Sequence, residues 1–244
     1  MSTPTTNRPD PRPALRVISS KATQHILADL ASAYTSSTGQ AVNVESVGGV
    51  DAAKRALAGE VFDLVILARD AMDKLMAAGK LQAGSLRDLV RSAVAVAVPK
   101  GAAHPDITSD AAVKQAVLAA ATLGYSTGPS GVQLAKLFER WGIADVVKSR
   151  IVTPPPGIPV GSLIAKGEVA LGFQQLSEML NVPGIELVGL LPPEIEIITT
   201  FSGALASSSS SAITSAATAL LDYMASAAAF DAIRNNGMSP VSGT

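Results

Sequence analysis

Short runs of β-branched residues alternate along this chain with segments of helical periodicity, and that alternation is the strongest constraint on its fold. Leu15–Ser19, Val42–Ser46 and Phe62–Leu67 read as strands. Phe62–Leu67 is apolar almost throughout, as a parallel strand covered on both faces must be. Between them, 22–36 carries Ile26, Leu27, Leu30, Ala33 and Tyr34 at helical spacing, and 51–58 and 70–78 are short helices. Gly39, Gly59 and Gly79 stand where helices stop, and Asp70 stands where one could be capped. A long alternating strand follows at Val90–Val98, ended by Pro99. Helices are expected at 109–120, 130–141, 160–165, 175–180, 212–225 and 227–235, and strands at 123–126, 150–153, 169–173, 185–190 and 194–201. Helices and strands in alternation specify an α/β fold.

An internal echo divides the chain. Ala56-Leu-Ala-Gly-Glu-Val-Phe-Asp-Leu-Val-Ile66 parallels Ile164-Ala-Lys-Gly-Glu-Val-Ala-Leu-Gly-Phe173. In each, a short helix ends at glycine and Glu-Val leads into a buried strand. Two similar lobes are expected, residues 91–193 forming the second. Pro192-Pro193 marks the return, so 15–90 and 194–244 form a discontinuous first lobe. Such a protein has an interlobe cleft, and hinge closure on a ligand is its usual mechanics. The proline-rich residues 1–14 read as a flexible tail.

Composition narrows the chemistry. The chain has 244 residues, a net charge of -1, no cysteine and two histidines, His25 and His104. Near-neutral charge argues against nucleic acid as a partner. Without cysteine there is no thiol catalysis or cysteine-ligated metal. No apolar run is long enough for a membrane span. No secretory signal precedes Leu15, so the chain as written reads as cytoplasmic, or as periplasmic if a signal has been removed. Gly-x-Ser-x-Gly, the Walker spacing and Gly-x-Gly-x-x-Gly are missing, and no metal or cofactor is expected.

In α/β sheets ligands sit beyond the carboxyl ends of the strands, where helix N-termini offer amides. That rule selects Ser19, Ser20 and Lys21 after the first strand. It selects Gly48 and Gly49 after the second and Arg69 after the third. In the second lobe it selects Ser126, Thr127, Ser130 and Gly131, then Gln174 and Gln175 past a later strand. Arg91 joins them at the start of the long strand. Each has a plainer reading: serine caps helices, glycine makes turns, and arginine is usually solvated. Glu178 follows the Gln pair, which places it either near the cleft or, as the plainer reading, on a solvated helix face, and Phe138 and Trp141 at helical spacing read as core.

On these residues the chain resembles the type II periplasmic-binding-protein superfamily, most closely the molybdate-binding proteins of ABC transporters. The resemblance runs from Leu15 to about Met238. It rests on Ser19-Ser20, Gly59–Leu67, Pro129-Ser-Gly131, Gly167-Glu168 to Gly172-Phe173, and the closing Ala-rich helices. It implies a two-lobe fold closing on a small anion, with an ABC transporter permease as partner and a monomeric chain. Gly48-Gly49 stands where that family often has a serine, and Arg69 and Arg91 where it more often has small or neutral residues. Added cations suit carboxylates. Phe173-Gln-Gln-Leu-Ser-Glu178 and Val182-Pro-Gly-Ile185 resemble the branch allied to aconitate isomerase. For that branch the expected acid–base residue is Lys21, given a buried amine. Arg69 and Arg91 would hold carboxylates, and Ser126, Ser130 and Gln174 would orient the substrate.

Overall fold

Strand β4 (Arg87–Pro99) organises the molecule, because its two halves belong to different sheets. Arg87–Ala93 pair with Ile198–Gly203, whereas Val94–Pro99 pair with Gly172–Gln175 and Ile185–Leu190. The computed structural model describes residues 13–155 and 157–241. Residues 1–12 of the expected tail lie outside the described residues.

The elements run β1 (Leu15–Ser20), α1 (Gln24–Thr38), β2 (Val42–Val47), α2 (Gly49–Ala58), β3 (Leu64–Ala68), α3 (Arg69–Ala77) and β4. Then come α4 (Asp110–Ala119), β5 (Leu123–Tyr125), α5 (Pro129–Arg140), α6 (Ala144–Val147), β6 (Ile151–Val152) and α7 (Val160–Ala165). The chain closes with β7 (Leu171–Gln175), α8 (Leu176–Met179), β8 (Ile185–Leu190), β9 (Ile198–Leu205), α9 (Ser211–Ala225), α10 (Phe230–Asn235) and β10 (Ser239–Pro240).

The first sheet has the order β2-β1-β3-β9-β4, with β1 parallel to β2 and β3, and β9 antiparallel to β3 and β4. One face packs Val17, Leu64 and Ile66 against Leu27 and Leu30 of α1 and Leu220 and Met224 of α9. The other packs Ile18, Val65 and Leu67 against Ala52 of α2 and Met72 and Leu75 of α3. The second sheet, β4-β7-β5-β6 with β8 also on β4, is covered the same way. Alternation decides which side chain goes where. Val94, Val96 and Val98 face the core that holds Phe138 of α5. Ala95 and Ala97 face Val160 and Ile164 of α7.

Two glycines set the height of α7. Gly124 and Gly172 are register partners on β5 and β7. A Cβ on Gly172 would lie 2.3 Å from Ile164 Cδ1, and one on Gly124 2.7 Å from Val169 Cγ2. This notch lets α7 approach the sheet and brings its first turn to the carboxyl end of β7.

Several boundaries differ from expectation, and three matter for the site. Helix α3 begins at Arg69 with Ala68 at the cap position, so Asp70 lies in the first turn and does not cap. Strand β4 begins at Arg87, which leaves Arg91 inside the strand, not at its start. Strand β7 extends to Gln175, so Gln174 and Gln175 are its last residues, not loop residues beyond it. The cause is ladder pairing. Gln174 and Gln175 sit opposite Ala95 and Val94, and β4 carries the pattern past the apolar run.

Candidate functional site

The carboxyl end of β1 lies near that of β7, whose following helix α8 reaches the turn after β1, close to where β4 passes between sheets. Ser19 is fully buried; its hydroxyl donates to the Ile66 carbonyl at 3.0 Å and lies 2.5 Å from Thr23 Oγ1. That hydroxyl ties β1 to β3. Ser20 is also buried, but its Oγ has only a 3.5 Å contact with Thr23 Oγ1. It makes no hydrogen bond to an amide of the turn that follows, so the simple capping role does not apply. A Cβ on Gly49 would lie 3.6 Å from Ser20 Cβ, so the first turn of α2 stands beside this hydroxyl. Lys21 is exposed, and its Nζ donates to Gln24 Oε1 at 3.1 Å.

On the other side, Tyr125 pairs with Phe173, so Ser126 and Gln174 follow directly on the two neighbouring strands. Ser126 Oγ and Ser130 Oγ are 3.1 Å apart at the start of α5, with Gly131 buried behind them and Thr127 exposed. Gln174 Oε1 accepts from the Gly161 backbone N–H of α7 at 3.3 Å. Its Nε2 donates to Glu178 Oε2 at 2.5 Å. An N–H can only donate, so the Gly161 contact fixes which end of the amide meets the carboxylate. Gln175 points the other way: its Nε2 donates to Thr199 Oγ1 at 2.7 Å and its Oε1 is buried without a partner among the described residues.

Helix α8 seats against the turn after β1. Ser177 Oγ donates to the Ala22 carbonyl at 2.9 Å and lies 3.4 Å from Ser92 Oγ. This contact brings Glu178 into the neighbourhood of Lys21. Glu178 is half-buried, and burial pushes its carboxyl up to about 7, while the Gln174 hydrogen bond and the Lys21 charge pull it down.

The two arginines are placed less favourably for a ligand. Arg69 is exposed, with Nε on Asp73 at 2.9 Å and Nη1 on Asp88 at 3.0 Å. Two carboxylates hold its guanidinium, and Asp88 also accepts from Ser202 Oγ. Arg91 is exposed and points to the face of β4 opposite Ser92, away from Ser177 and the turn after β1. Glu178, for which the sequence favours a solvated helix face over a place near the cleft, is half-buried and bonded to Gln174. The sequence signal for it is its place just past the two glutamines that end β7.

The Glu178 shift predicts a pH dependence. Its ordinary value is 4.5, so between about pH 4.5 and 7 the folded chain keeps a proton that the unfolded chain has lost. Stability therefore falls as pH rises through that window, by about 3 kcal/mol in all. Glu178→Gln, which keeps an acceptor for Gln174, should abolish that component. The variant should unfold at higher temperature than the parent at pH 8 and at the same temperature at pH 4.5. Thermal melts across the range read the difference.

Among the described residues no group of three or more His, Asp or Glu is arranged to hold a metal ion. A family model for bacterial extracellular solute-binding proteins matches residues 15–239. The chain belongs to that family. Within the extracellular solute-binding proteins, its fold matches the periplasmic molybdate-binding protein of Azotobacter vinelandii. The TM-score is 0.76 at 19% identity, covering 94% of this chain and all of that one. It equally matches the sulfate-binding protein SubI of Mycobacterium tuberculosis H37Rv, with TM-score 0.76 at 14% identity over 95% of this chain and 88% of that one. At these identities the likeness is one of fold: two lobes around a cleft. A curated relative is far nearer in sequence. The aconitate isomerase of a Pseudomonas species is 39% identical over 239 residues, 95% of this chain and 89% of that protein. No single helix among the described residues is long and apolar enough to cross a membrane.

Proposed function

We propose that this solute-binding-protein fold serves as an isomerase of the aconitate type. In it, lobes 15–90 plus 194–244 and 91–193 close on a tricarboxylate. The observation that carries this reading is the 39% identity to an aconitate isomerase along nearly the whole chain. The oxyanion binders that share the fold lie below 20%. The site suits the assignment. Ser20, Ser126, Ser130 and the first-turn amides of α2 and α5 offer donors to carboxylates. Lys21 adds a positive charge. The reaction balances without oxidant or reductant. A base takes a proton from the methylene, charge spreads over the allylic system into a carboxylate, and a proton returns to the former vinylic carbon. The double bond thereby moves by one position. On this reading the chain needs no permease and works wherever its substrate is found, the cytoplasm included.

The second reading is anion capture for an ABC transporter, by a monomer working in the periplasm with a permease as partner. The family description favours it. Proton NMR of trans-aconitate in deuterated buffer separates the two. Isomerisation with solvent deuterium entering the product is expected. Tight calorimetric binding of molybdate, sulfate or aconitate with no exchange at high protein concentration would leave capture as the function.

A further inference from the structure

We infer that Glu178 is the catalytic residue that carries the proton, with Gln174 as its positioning residue and Lys21 holding a substrate carboxylate. This inference rests on the isomerase reading. The geometry separates the two oxygens of Glu178. Oε2 is held by Gln174 Nε2, and Gln174 is itself oriented by the Gly161 N–H, so one edge of the carboxylate is anchored through β7 to α7. Oε1 makes no hydrogen bond to a described residue, which leaves a lone pair for a substrate C–H. A base must be held and yet have one open oxygen.

Lys21 offers the opposite arrangement. It is exposed, and its Nζ already donates to Gln24, so the burial that an amine base requires is missing. As a cation near Glu178 it instead suits a carboxylate of the substrate and the charge that spreads into that group. The charge acting on Glu178 is that of Lys21, and with burial the carboxyl lies at about 7. Both protonation states are then populated near neutrality, as needed by a group that takes a proton and gives it back. In the forward step Glu178 accepts the methylene proton and becomes a neutral acid. The neutral carboxyl exchanges its proton with solvent, and in the return step it delivers a proton to the far allylic carbon and is an anion again.

The test uses the full chain with trans-aconitate as probe. Glu178→Gln should lower kcat by about 100-fold or more and abolish deuterium exchange. Its calorimetric affinity for trans-aconitate should stay within about threefold, the pattern of a group that acts only in the transition state. In the parent, kcat/KM should rise through pH 7, and Lys21→Met should move that rise to higher pH, because Lys21 pulls the Glu178 carboxyl down. A Glu178→Gln variant that turns over within about threefold of the parent would overturn the assignment, as would one that loses binding along with turnover. If the parent binds trans-aconitate with neither isomerisation nor exchange, the isomerase reading itself falls, and the role of Glu178 with it.

Discussion

Replacing Gly131 with alanine should destabilise the second sheet's half of the molecule by about 3 kcal/mol or more and disable the Ser126–Ser130 loop. A Cβ at this position would lie 1.6 Å from the carbonyl oxygen of Ser126 and 2.7 Å from its carbon. Both are backbone atoms, so no side chain can swing aside. The ring of Tyr125, 3.2 Å away, closes the remaining direction. The loop must move as a unit, which separates Ser126 Oγ from Ser130 Oγ. Urea unfolding should show a lower midpoint, and calorimetry should show weaker binding of trans-aconitate. An unchanged midpoint would mean that the loop does not pack on α5 as described.

Phe138→Ala is expected to cost about 3–5 kcal/mol, the range for a fully buried aromatic ring replaced by a methyl. Phe138 is 1% exposed. Its ring meets Tyr125 and Phe173 edge-on, with centroids 5.8 and 6.4 Å away, and stacks on Trp141 at 5.9 Å. Tyr125 and Phe173 directly precede Ser126 and Gln174, so this cluster also sets where the two strand ends point. The cavity should therefore weaken ligand binding as well as stability. Phe138→Leu, which refills most of the space, should recover much of both. Denaturant midpoints and affinity measured on the two variants check the order.

Phe138 is legible as core because its helical spacing to Trp141 needs only local geometry. The same spacing argument placed Trp141 beside it, where the indole Nε1 donates to Asp110 Oδ1 at 2.6 Å. Strand ends were less legible. The apolar run stops at Phe173, yet β7 continues through two glutamines because β4 supplies their backbone partners. Arg69 shows the opposite limit. Its position after a strand was read correctly, but its two carboxylate partners are 4 and 19 residues away, and the farther one is on another strand.

Alternating apolar runs, glycine stops and the Gly-Glu-Val echo were sufficient to specify an α/β chain with small polar residues in its strand-end loops. These features depend on residues a few positions apart, so sequence determines them. Tertiary structure decided how those loops meet. Ser177 reaches the Ala22 carbonyl across 155 residues, and Gly124 and Gly172 admit α7 so that Gly161 can orient Gln174. Whether Glu178 is a solvated surface charge or a half-buried carboxyl with one open oxygen follows from those contacts. Burial is a property of what packs around a group, and it is written nowhere near the group itself.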